Sequence, residues 1–144
     1  MSARELAGAA LLALGCTDLA GAWRGDPHLR AGPFAFAVWL FAVAVARRDA
    51  EAGEAQYTAR WQLLAVGLAV AGRVLELHAL SHAALAAWMA AGCARPWLVA
   101  LAAASWMPAG HVLMPLYGTA FVRLALAAAP LLLAREIVRV RRIS

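Results

Sequence analysis

Apolar residues in this chain come in long runs rather than in alternating or one-faced helical patterns, and short polar segments separate them. A run that is apolar on every side belongs to a segment whose surroundings are apolar all round. The first run covers residues 5–23 and contains Asp18. Arg24-Gly25-Asp26-Pro27-His28-Leu29-Arg30 follows, rich in turn formers, and a second run at 31–46 closes on Arg47-Arg48. Residues 49–60 form the one sustained hydrophilic stretch, with Asp49, Glu51, Glu54 and Gln56. Two longer runs, 61–92 and 96–134, complete the pattern.

Length decides how the long runs are used. As one helix, residues 61–92 would measure about 48 Å at 1.5 Å per residue. A bilayer core is about 30 Å thick, so this run is either a protruding helix or a hairpin turning near residues 76–79. The 96–134 run carries Pro108, Gly110, Pro115 and Gly118, and Pro115-Leu116-Tyr117-Gly118 is good turn chemistry. The pattern therefore predicts an all-α, polytopic helical integral membrane protein in one domain over residues 1–144. Six transmembrane helices, at 5–23, 31–48, 58–76, 78–94, 96–114 and 117–136, tile the chain; four bent helices are the alternative. The first run reads as a retained span rather than a signal peptide, because Arg4 and Glu5 nearly cancel and Asp18 interrupts it.

Composition points the same way. The chain is 65% hydrophobic and 15% charged over 144 residues, with a mean hydropathy of +0.72. Soluble domains hold about 45–50% apolar and about 25% charged residues. Disorder is excluded by the low charge. Every basic side chain is Arg, with no Lys and no Asn, and roughly a quarter of the chain is Ala, a bias that fits a GC-rich bacterial genome. The net charge of +5 is not arranged as a basic stripe among aromatics, so no nucleic-acid partner is expected. Instead the arginines cluster at Arg47, Arg48 and Arg60 and in the tail at Arg135, Arg139, Arg141 and Arg142. The positive-inside rule puts both clusters in the cytoplasm, giving a multi-pass protein of the bacterial inner membrane with both termini cytoplasmic. Trp23, Trp61, Trp97 and Tyr117 fall at span ends, where interfacial rings belong, while Trp39, Trp88 and Trp106 fall deeper and read as packing residues. Abundant Ala and Gly let helices approach closely. Cys16 and Cys93 suggest neither a disulfide framework nor a metal motif.

Ionisable groups within the runs need a reason to be there. Asp18, Arg73, Glu76, Arg123 and the histidines are these groups. On a continuous helix Arg73 and Glu76 lie at i, i+3 and can pair. If the chain turns at 76–79 instead, Arg73, Glu76 and His78 sit at the outer interface with His82 just below. His78 and His82, at i, i+4, face one way and could supply two metal ligands or axial ligands to a haem- or chlorophyll-type tetrapyrrole, with His111 a third candidate. His82, Trp88 and Arg95-Pro96-Trp97 are similar to single-span light-harvesting polypeptides over about 16 residues. No carboxylate pair, phosphate-binding glycine loop or HExxH motif occurs.

Trp23, Asp26-Pro27, Gly32-Pro33-Phe34, Trp39-Leu40 and Arg47-Arg48 follow one another in an order that resembles the front half of the exosortase/archaeosortase family of membrane-embedded sorting proteases. Residues 65–72, 80–92 and Trp106-Met107-Pro108 resemble that family's following helices and its proline break. The resemblance covers most of this chain and about half of such a protease. The family's catalytic Cys has no counterpart, since Cys16 stands in Gly-Cys-Thr and Cys93 in Gly-Cys-Ala-Arg, and its later Arg and His have no matching positions. Cys93, His111 and Arg123 do not replace them: along one span Cys93 and His111 are about 27 Å apart, whereas nucleophile and base must come within about 3 Å. The resemblance implies a half-length, non-catalytic relative.

Three functional readings follow. The first is a scaffold or accessory subunit that packs against other membrane subunits or a second copy of itself. The second is a tetrapyrrole or metal protein using His78, His82 and His111. The third is a proton or small-solute pathway lined by Asp18, Arg73, Glu76 and Arg123.

Overall fold

In a computed structural model that describes residues 3–48, 55–93, 95–110 and 120–141, the chain is all-helical, with no strand among the described residues. Helix α1 (Ala3–Leu14) and helix α2 (Leu19–Gly25) are two parts of one apolar run, bent by 49°. The break follows from its residues. Gly15 and Cys16 make tight i→i−3 bonds to Leu12 and Ala13 (3.0 and 2.9 Å), and Asp18, at the N-cap of α2, makes no side-chain cap. A cap of that kind stabilises a helix by about 1 kcal/mol. Asp18 forgoes it because its carboxylate is engaged elsewhere.

A 3-10 turn at Pro27–Leu29 leads into α3 (Gly32–Arg48), with Pro33 in its first turn, where a missing N–H is harmless. Helices α4 (Ala55–Val74) and α5 (His78–Ala90) form a hairpin, so residues 61–92 do turn. The turn has the hydrogen bonding of a Schellman motif: the Leu77 N–H donates to the Gly72 carbonyl at 2.9 Å, and Glu76 takes a left-handed φ of 53°. Gly72 lies so close to α5 that an added Cβ would come within 2.9 Å of Ser81 Oγ. Helix α6 (Pro96–Ala102) starts on a proline and tightens into a 3-10 turn at Ala103–Ser105, and α7 (Ala120–Arg141) carries Pro130 in its interior.

Helix α5 is the centre. It packs against α4, α6 and α1, while α3 packs against α7 and α7 against α6. Glu5 and Gly8 meet Trp88 while Cys16 meets Ser81, so α1 runs antiparallel to α5. The core is built from Leu19, Trp39, Val43, Leu85, Val99 and Trp106, with alanines filling the closest approaches. At its middle, Phe36 packs on Trp39, Trp106 and Trp23 with ring centroids 6.1, 5.0 and 5.9 Å apart, and Trp39 on Trp106 at 5.4 Å. Such pairs add about 0.5–1.5 kcal/mol each beyond their burial.

Tryptophan N–H groups join segments far apart in the chain. Trp39 Nε1 donates to the Val99 carbonyl (2.8 Å), Trp23 Nε1 to Trp106 (3.0 Å) and Trp88 Nε1 to Glu5 (3.0 Å). Val99 lies in the last turn of α6, where carbonyls lack an intrahelical partner. Arg47 does the same for α5, donating from Nε and Nη2 to Met89 (3.1 and 2.9 Å) and from Nη2 to Trp88 (3.3 Å). A cation at a helix C-terminus also suits the helix dipole.

Two sequence expectations change here. Trp23, expected as an interfacial ring, is partly buried and packs against the aromatic core, where Gly32 leaves room for its indole. Helices α5 and α6 are shorter than the expected spans at 78–94 and 96–114, with α6 and its 3-10 turn ending at Ser105. No single helix among the described residues is long and apolar enough to cross a membrane, although the bent pair α1–α2 meets that test by length and composition.

Candidate functional site

The α1–α2 break and the start of α5 meet at a carboxylate held by two imidazoles. His82 Nε2 lies 3.1 Å from Asp18 Oδ1, and His78 Nδ1 lies 3.9 Å from Oδ2. One helical turn separates the two histidines, so both reach the same acid from one face of α5. Their surroundings differ sharply: the side chains of His82, Asp18 and His78 are 2%, 30% and 71% exposed. The acid also sits by the N-terminal turn of α5, where the helix dipole favours negative charge.

A carboxylate only accepts hydrogen bonds, so the His82–Asp18 contact places a proton on Nε2. Nδ1 on the far edge of the ring is buried and has no partner. It faces the protein interior, where the His82 ring meets Trp106 at 6.5 Å between centroids. Beyond Trp106, Arg123 Nη1 donates to the Ser105 carbonyl at 2.8 Å. Ser105 Oγ, Trp106 Nε1 and Arg123 Nε are likewise buried and unpartnered, so four such atoms lie on one connected set of residues across the middle of the fold. Arg123 is only 5% exposed.

On the outer side of Asp18 a cavity of ≈350 Å³ opens between the break and the α4–α5 turn. Thr17, Arg73, Glu76, His78 and Ser81 supply its polar lining. Arg73 and Glu76 make no ion pair, contrary to their i, i+3 spacing, because α4 ends at Val74 and the left-handed Glu76 leaves the helical path. Cys16 stands beside the site but directs its Sγ at the Leu12 and Ser81 carbonyls (3.4 and 3.6 Å). Among the described residues no nucleophile is bonded to His82.

The sequence-selected residues thus divide. Asp18, His78 and His82 come together, Arg73 and Glu76 line the adjoining cavity, and Arg123 lies across Trp106 from them. His111 lies outside the described residues. His82 offers no open face to a tetrapyrrole, since one nitrogen is on Asp18 and the other is buried against an indole. Among the described residues no group of three or more His, Cys, Asp or Glu side chains is placed to hold a metal. Ser105 and Thr17 were not selected from the sequence. Each was visible only as a small polar residue within an apolar run, a weak signal because small hydroxyl side chains also serve helix packing. No protein-family model, curated protein or solved structure matches the chain.

Proposed function

We propose that this chain is a multi-pass helical protein of the bacterial inner membrane, with both termini cytoplasmic, acting as a non-catalytic scaffold or accessory subunit. The observation that carries this reading is an inside-out distribution of polarity. Leu11, Leu63 and Phe121 are 71%, 72% and 80% exposed, while His82, Ser105 and Arg123 are buried. On α4 the face away from α5 presents Leu63, Val66, Val70 and Val74. Water does not tolerate such a surface on a small monomer, whereas acyl chains or neighbouring subunits do.

Two measurements test the proposal. Cys16 and Cys93 are buried and so react slowly with thiol reagents. Gly25→Cys and Arg95→Cys, both at exposed positions, then report topology. In intact cells an impermeant maleimide should label residue 25 alone, with residue 95 labelled only after permeabilisation; equal labelling, or recovery of the protein from the soluble fraction, refutes the topology. Purification in mild detergent should yield a stoichiometric complex or a homo-oligomer, and a stable monomer argues against the subunit role.

The proton pathway is a second reading, because His82 meets the partly exposed Asp18 through one nitrogen and keeps the other in the buried polar set, with Glu76 lining the cavity nearby. Proton flux into liposomes should fall in both His82→Gln and Glu76→Gln. Flux unchanged by either removes this reading.

A further inference from the structure

A second cavity, of ≈460 Å³, lies on the other side of α2. Ala20, Trp23, Arg24, Arg30 and Pro33 line it, so α2, the turn that follows it and the start of α3 form its walls. Arg24 and Arg30 are both exposed, and no ion pair holds either of them among the described residues. Arg24 Nε donates to the Ala20 carbonyl at 3.2 Å, which anchors the base of its guanidinium and leaves the terminal nitrogens to a ligand. The rest of the lining is rigid and apolar. Trp23 is locked by its bond to Trp106 and its packing on Phe36, and so presents a ring face rather than a donor. Phe34, the residue after Pro33, is 70% exposed.

Two guanidinium groups above an apolar wall fit a phosphate that carries a hydrophobic or glyceryl group, because guanidinium pairs with phosphate oxygens through paired N–H donors. Topology strengthens this assignment. With the termini cytoplasmic, residues 24–30 lie on the non-cytoplasmic face, where the positive-inside rule disfavours arginine. Arg24 and Arg30 then need a reason other than orientation. We propose that this cleft binds a phosphate group, with the headgroup of an anionic phospholipid and a soluble phosphate ester as its two sources. The placement at the bilayer surface rests on the membrane reading above; the two-arginine phosphate cleft does not.

The test uses the full chain purified in mild detergent and reconstituted into phosphatidylcholine vesicles containing a minor fraction of phosphatidylglycerol. Lipid retained by the protein is counted by native mass spectrometry for wild type, Arg24→Gln, Arg30→Gln, the double variant, and Arg60→Gln as an exposed control on α4. Wild type and control should enrich phosphatidylglycerol. Each single variant should lose that preference about fivefold and the double variant about thirtyfold, from one favourable interaction per cation. Equal enrichment in wild type and double variant overturns the site. In a parallel arm, glycerol phosphate is titrated into the detergent-solubilised proteins. Displacement of phosphatidylglycerol that depends on the two arginines assigns the cleft to a soluble ester, and lipid retention without displacement assigns it to the headgroup. If the chain fails to enter vesicles, the membrane reading falls, and arginine-dependent binding of glycerol phosphate still decides the cleft.

Discussion

Glu76→Gly should stabilise the protein, an outcome that generic disruption cannot imitate. Glu76 is the left-handed residue of the α4–α5 turn, at φ 53°, and its side chain is exposed and makes no ion pair with Arg73. An L side chain in this region costs roughly 1–2 kcal/mol relative to a right-handed conformation, and glycine removes that strain. Glycine also frees the unfolded chain, which returns about 0.4–1 kcal/mol. The net expectation is about 0.5–1 kcal/mol of added stability, with the Leu77–Gly72 hydrogen bond unchanged. Glu76→Ala separates backbone from charge: it keeps the Cβ and the strain, and should match wild type within about 0.5 kcal/mol. Asn tolerates the left-handed region better than most residues, so Glu76→Asn should fall between Ala and Gly. Reversible unfolding in mixed detergent micelles, read by far-UV circular dichroism, gives the order Gly, Asn, Ala from most to least stable. A glycine variant less stable than the alanine variant would refute the left-handed turn at this position.

Three further outcomes follow from the packing. Gly8→Ala should destabilise by about 1–3 kcal/mol, because its Cβ would overlap the Trp88 indole, and Trp88→Leu should recover part of that loss in the same unfolding assay. A double-mutant cycle should give Asp18 and His82 a coupling of about 1–2 kcal/mol, while Asp18 and the exposed His78 should couple by less than about 0.5 kcal/mol; equal couplings would mean that His82 is not the principal partner. Arg47→Met keeps an apolar stem but leaves the Met89 carbonyl with only the weak Cys93 thiol at 3.8 Å, so amide exchange in the last turn of α5 should accelerate and stability should drop by about 1–3 kcal/mol.

Much of the layout was legible because length is a hard constraint: 32 residues of unbroken apolar helix exceed a bilayer, and the chain turns near the residues 76–79 that this excess pointed to. Trp39 and Trp106 were legible as packing residues because they stand in mid-run. Trp23 was not, since a tryptophan at the end of a run is read by position, and only Gly32, a neighbour in space, shows where its ring goes. Arg47 was read from charge alone, which places an arginine on a side of the membrane but says nothing of the carbonyls it serves. Asp18 and His82 were each marked as polar residues in apolar surroundings. Their pairing was hidden by 64 intervening positions, across which no local periodicity operates.

The indole hydrogen bonds set an order of events during synthesis. Trp23 and Trp39 leave the ribosome with their α2 and α3 neighbours, yet the carbonyls that receive them belong to Trp106 and Val99, 83 and 60 positions later. Until α6 emerges, both N–H groups must be served by water, headgroups or a chaperone. The early helices therefore wait in a provisional arrangement, and the core locks only when the chain has grown past Trp106. A nascent chain halted before that point would be unlatched, and more open to proteolysis than one halted just after it.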